Sequence, residues 1–150
     1  MKTSFNIQQM PFTRFGFNII KELSTDIKNI GAEKVLLVID AEMKEMGLTR
    51  SVEKQLSDAF EKVTVHVIRE RVLSFNSVTN FMEEIDPSAF DVIVGYGGWR
   101  CTDMCKVISV ASTHEFNADS GIKNEYTIKR RGVPIISVPT TPPNDAEIDE

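Results

Sequence analysis

Lys34-Val35-Leu36-Leu37-Val38-Ile39-Asp40 is the stretch that decides the fold. Its five central residues are β-branched or leucine, an unbroken apolar run that suits a strand covered on both faces, as in a parallel sheet. Asp40 ends it. Upstream, Ile20, Leu23, Ile27 and Ile30 recur at steps of three and four, which predicts a helix over residues 15–31 with Gly31 as its stop. Downstream, residues 41–47 read as a short helical turn, and Thr49 as the N-cap of a helix carrying Val52, Leu56 and Phe60. Val63–Ile68 is the next strand, and His66 reads as a strand residue near an edge. After a polar stretch over 69–76, a helix carries Val78, Phe81, Met82 and Ile85 and stops at Asp86-Pro87. A third strand, Phe90–Val94, breaks into Gly95-Tyr96-Gly97-Gly98, and a helix from about Cys101 carries Met104, Ile108 and Ala111. Residues 114–133 are polar and turn-rich, with a hairpin expected around Tyr126–Lys129; Pro134–Val138 is the last strand, and Thr140-Thr141-Pro142-Pro143 ends regular structure.

Strands alternating with helices predict one α/β domain over residues 1–150: a Rossmann-like three-layer arrangement, its sheet mostly parallel and its helices on both faces. Composition agrees: 150 residues, 41% apolar and 26% charged, exclude a collagen-like or largely disordered chain. Val35–Ile39 is the longest apolar run, far short of the ~20 residues a membrane-spanning helix needs, and the first residues lack the pattern of a secretory signal. The expectation is a cytoplasmic protein with no membrane partner. The net charge of −5 comes mostly from Asp145, Glu147, Asp149 and Glu150. The only basic cluster, Lys123, Lys129, Arg130 and Arg131, reads as the edge of a loop, so no nucleic-acid partner is expected. Cys101 and Cys105 share a helix face and read as structural thiols; with only His66 and His114 to join them, a zinc site is disfavoured.

In parallel sheets ligands bind beyond the carboxyl ends of the strands, which makes Asp40, the segment 95–103 and Thr140-Thr141 the informative residues. Asp40 either accepts hydrogen bonds from the ribose hydroxyls of a dinucleotide, favouring NAD over NADP, or caps the next turn. Gly95-Tyr96-Gly97-Gly98 either lets bare backbone approach a pyrophosphate at a helix start or makes an ordinary tight turn. Arg100 either adds a cation there or faces solvent. Asp103 and Lys106, one turn apart, either face a substrate cleft or form a surface pair.

Taken together these stretches resemble the N-terminal domain of the iron-containing alcohol dehydrogenase family, of the dehydroquinate-synthase-like fold. Phe15-Gly16-Phe17-Asn18-Ile19-Ile20-Lys21-Glu22-Leu23 looks like the family's FGxGxxxEL opening, with Asn18 for the second glycine. Ile30 to Asp40 is close to its LGAKKVLLVTD strand, and Gly47-Leu48 falls where the family has a similar pair. Asp91-Val92-Ile93-Val94 followed by Gly97 to Lys106 looks like its strand and GGGSxxDxAK loop, and Pro134 to Thr141 is similar to PxIxIPTT. The resemblance implies that Asp40 selects the adenosine ribose, Gly97 and Gly98 approach the pyrophosphate, Asp103 lies toward the substrate and nicotinamide, and Thr140 and Thr141 contact the nucleotide.

The departures fall on the same loops. Trp99 and Arg100 replace the third glycine and the serine, and Pro142-Pro143-Asn144-Asp145-Ala146-Glu147 stands where the family has AGTGSE. The implied cofactor is NAD; Trp99, Pro142 and Pro143 stand against its binding, since an indole fills space and two prolines remove two backbone donors. The family's catalytic metal is held by a helical second domain, so no metal site and no catalytic residue is expected within this chain. The expected function is the dinucleotide-binding half of alcohol or aldehyde oxidoreduction, inactive alone; the alternative is a binding or interaction module that kept the fold and lost the nucleotide. Implied partners are a second copy in a homodimer, with Ser4–Met10 as an edge strand, or a separate C-terminal helical chain. An apolar patch at the strand carboxyl ends is also expected.

Overall fold

The computed structural model describes residues 12–114 and 129–141. The expected edge strand Ser4–Met10, the hairpin at Tyr126, and Lys123, Pro142, Pro143 and Asp145 lie outside the described residues. Among the described residues four strands, β1 (Lys34–Asp40), β2 (Lys62–Ile68), β3 (Val92–Gly97) and β4 (Ile135–Pro139), form one sheet in the order β2-β1-β3-β4, each pair parallel. The helices are α1 (Leu23–Asn29), α2 (Ala41–Glu45), α3 (Arg50–Ala59), α4 (Phe75–Glu84) and α5 (Trp99–Ala111). The α/β class and the helix layers on both faces are as the sequence predicts.

β1 shows why. Every residue after Lys34 is buried, and alternation sends Val35, Leu37 and Ile39 against α1 and α3 while Leu36 and Val38 meet α4 and α5. By the same alternation Asp40 turns toward α5. At the other end of the sheet, Asp91 accepts the backbone N–H groups of Glu33 (3.0 Å) and Lys34 (2.9 Å), pinning the entry of β3 to that of β1. Among the described residues no helix is long and apolar enough to cross a membrane.

Several boundaries move, each for a local reason. The helix expected from residue 15 starts only at Leu23, because Asn18 takes a left-handed conformation (φ 58°) that breaks the approach and leads into a 3-10 turn, Ile19–Glu22. Asparagine tolerates that region best after glycine, the residue the quoted motif carries there. Phe15 and Phe17 are consequently fully exposed, and Ile30, expected on the buried face, is 53% exposed beyond the helix end. Gly31 does end the segment, with φ 76°.

Thr49 stands at the N-cap of α3, as expected, but its side chain does not cap the helix. It is fully buried, and its hydroxyl donates to Glu53 (2.5 Å), holding that carboxylate below the usual range together with Lys44. α4 begins inside the stretch read as polar loop, because Ser74 and Ser77 form a reciprocal capping box. β4 runs one residue later than expected, to Pro139.

The largest correction is at β3, which does not break at Gly95 but continues through Gly97. Gly95 and Gly97 face α5, and side chains there would collide with it. A Cβ on Gly95 would lie 2.9 Å from Cys105 Sγ; one on Gly97 would overlap Cys101 Sγ and lie 2.6 Å from Asp40 Oδ2. α5 therefore packs close on the strand and begins at Trp99, two residues early.

Candidate functional site

The carboxyl ends of β1 and β3 meet at Asp40, Gly97 and Gly98. Ile39 is level with Tyr96 in the parallel register, which brings Asp40 beside the loop that opens α5. The Asp40 side chain is 7% exposed, and its Oδ2 accepts the Gly98 N–H at 3.0 Å. Its Oδ1 is buried without a hydrogen bond and faces Arg100 Nη2 at 3.2 Å as an ion pair. The Asp40 side chain therefore does not cap the turn that follows β1; it binds the start of α5, 58 residues on.

Arg100 is neither a solvent-facing residue nor a free cation. Its side chain is only 16% exposed; Nη1 donates to the Glu70 carbonyl (3.0 Å) and Nη2 lies 3.5 Å from Glu42 Oε2. One guanidinium therefore spans the end of β1, the first turn of α2 and the loop after β2. Sequence reasoning missed this contact; the available signal was an arginine at the start of a helix that follows a strand adjacent to Asp40.

Thr140 and Thr141 lie at the same point. The Thr140 N–H donates to the Gly97 carbonyl (2.9 Å), and its hydroxyl contacts Met43 Sδ (3.3 Å). The Thr141 side chain lies 3.4 Å from where a Cβ on Gly98 would sit. Asp103 lies one turn into α5, half-buried. Trp99 is 43% exposed at the first position of the helix.

The thiols lie beneath this junction. Cys101 and Cys105 are free and buried. Burial pushes both thiols up, and at Cys101 the neighbouring Asp40 charge adds to it, so neither is a thiolate at neutral pH. His66 stays an edge-strand residue, its ring 4.8 Å from Phe81 in an edge-on contact.

Residues 11–150 match the profile of the iron-containing alcohol dehydrogenase family. The chain belongs to that family. It is 24% identical over 142 residues to long-chain-alcohol dehydrogenase 1 of Geobacillus thermodenitrificans (strain NG80-2), covering 92% of this chain and 35% of that protein. It is 27% identical over 135 residues to the NAD-dependent methanol dehydrogenase of Bacillus methanolicus, 87% of this chain and 34% of the relative. The fold is that of the crystal structure of sulfoacetaldehyde reductase from Bifidobacterium kashiwanohense in complex with NAD+ (TM-score 0.84, 18% identity, 98% of this chain and 39% of that one). The chain spans about a third of the length of the curated relatives it matches.

These residues bear on what the fold family binds. Among the described residues no group of three or more His, Cys, Asp or Glu side chains lies together, so they do not fit a metal ion. For a dinucleotide the backbone frame is in place: strand ends, a helix start and an acidic residue at the end of β1. The side chains as arranged do not fit. Asp40 is covered and paired, a carboxylate already occupies the Gly98 N–H, and Thr141 stands over Gly98.

Proposed function

We propose that this chain forms the nucleotide-side half of an NAD(P)-dependent alcohol or aldehyde oxidoreductase and has no turnover by itself. The observation that carries the reading is the junction of Asp40 with the Gly97-Gly98 turn at the carboxyl ends of two adjacent parallel strands, the place where open α/β sheets bind ligands. Family membership and the NAD-dependent relative from Bacillus methanolicus support it. On this reading, once the Arg100 and Thr141 side chains that cover the frame are displaced, Asp40 faces the ribose, Gly97 and Gly98 the pyrophosphate, Thr140 and Thr141 the nucleotide, and Asp103 the substrate side. The test is to mix the chain with the metal-bearing C-terminal part of a relative, iron or zinc, NAD and a panel of alcohols. NADH should accumulate at 340 nm; no turnover over the whole panel counts against the proposal.

A second reading, an interaction module that has lost the nucleotide, is favoured by the Arg100 side chain on Asp40. Partners are part of the proposal too. Met46, Val72, Phe75 and Trp99 are exposed in the segments that follow β1, β2 and β3, and these side chains support self-association or docking of a helical chain. Sedimentation should show mass rising with concentration; a monomer throughout would remove that part.

A further inference from the structure

We infer that Arg100 is a built-in occupant of the nucleotide cleft, a latch whose guanidinium holds Asp40 shut and must leave before a dinucleotide can enter. The inference rests on the proposed nucleotide-side reading and concerns how that site is closed by the chain's own side chains.

Arg100 makes three contacts, each to a different segment at the strand ends: Asp40 at 3.2 Å, Glu42 at 3.5 Å and the Glu70 carbonyl at 3.0 Å. A guanidinium offers five N–H donors in a fixed plane, so it can engage all three at once. Asp40 is left with one oxygen on the Gly98 N–H and the other buried without a hydrogen bond, opposite Arg100. That second oxygen marks the weak point. A buried carboxylate oxygen without a hydrogen bond is costly, and ribose hydroxyls would supply the donors the guanidinium fails to align. The latch is therefore strong in charge and poor in geometry, the combination expected of a contact that can be exchanged.

Exchange has a consequence for selectivity. With Arg100 removed, a bare carboxylate faces the ligand. It accepts hydroxyls and repels a 2′-phosphate, so the gain belongs to NAD and not to NADP.

The experiment titrates the chain, Arg100→Ser and Arg100→Gln with NAD and with NADP, reading Trp99 emission and calorimetric heat. Trp99 is the only tryptophan in the chain, so its signal is local. Arg100→Gln keeps a donor for the Glu70 carbonyl and serves if Arg100→Ser fails to fold by circular dichroism. The expected result is NAD affinity at least tenfold higher in both variants, a larger rise in Tm with NAD than in the parent chain, little gain for NADP, and loss of the gain when Asp40→Asn is added. NAD binding by the parent as tight as by the variants, or an equal gain for NADP, overturns the latch and leaves the proposed function standing. No binding by any of the three overturns both.

Discussion

Adding one methyl group at Gly97 tests the packing on which the whole junction depends. In Gly97→Ala the new Cβ would overlap Cys101 Sγ, lie 2.6 Å from Asp40 Oδ2 and 3.1 Å from Cys101 Cβ. Ordinary contacts fall near ~3.5–4.0 Å, so the carboxylate must retreat by about 1 Å. It cannot do so without stretching its 3.0 Å bond to the Gly98 N–H or its 3.2 Å pairing with Arg100. Overpacking costs ~1–3 kcal/mol, and two displaced neighbours, one of them charged, place this case at about 3. Replacing glycine by alanine in a strand returns roughly 0.5–1 kcal/mol through lost unfolded-state freedom. The net expectation is about 2 kcal/mol. Followed by circular dichroism in urea, that lowers the midpoint by about 1 M with unchanged m, for an m near ~2 kcal/mol/M. Cys101→Ala removes the overlapping sulfur, so the same methyl should cost roughly 1 kcal/mol less in that background. Gly95→Ala, with its one close contact at 2.9 Å to Cys105 Sγ, should lie within about 1 kcal/mol of the parent. A Gly97→Ala chain as stable as the parent, or one that Cys101→Ala does not relieve, would refute the close approach of α5 to β3.

Other outcomes follow from the same structure. Gly132→Ala should be more damaging than either, because its Cβ would run into the backbone carbonyl of Ser109 in α5, which has no rotamer to change; urea unfolding within ~0.5 kcal/mol of the parent would contradict this. Neither thiol should react with an aromatic disulfide reagent at pH 8 until urea is added, and then both should; one fast thiol in the native chain would show that Cys101 or Cys105 is not covered. Burial holds His66 below the ordinary imidazole value of 6.5, against smaller upward pulls from Glu70 and Glu84. The unfolded chain therefore takes that proton first. Its contribution is full above about pH 6.5 and is lost as the pH falls through the folded value. A second loss follows at lower pH as Asp91, held down by the Glu33 and Lys34 N–H groups, is protonated. His66→Phe should abolish the first fall and keep the second, and a urea midpoint flat from pH 7 to 5 in the parent would refute the first.

Much of this was legible in the sequence because the deciding signals are local. The run from Val35 to Ile39 can be covered on both faces only in the middle of a sheet, and it sits there, with helices above and below. The periodic apolar residues of α3 and α4 likewise announce their buried faces, Val52 and Leu56 in one and Val78 and Phe81 in the other. Asp40, Gly97, Gly98 and Thr141 could be picked out because strand ends are where parallel sheets gather side chains, and the structure does bring those four together.

What the glycines and Asp40 do at that junction was decided by contacts between residues far apart in the chain. Gly95 and Gly97 read as a loop because glycine alone carries no face; only the arrival of α5, with Cys101 and Cys105 on its inner side, makes their missing side chains a packing requirement and keeps the strand going. Asp40 also binds a helix start that its local sequence did not announce, since the parallel register of β1 with β3 sets it beside α5 and within reach of Arg100. A pattern along the chain reports which residues turn inward. Which of them then meet, and whether a charge is thereby left open or closed, depends on how the layers stack, and that is settled only when distant segments fold together.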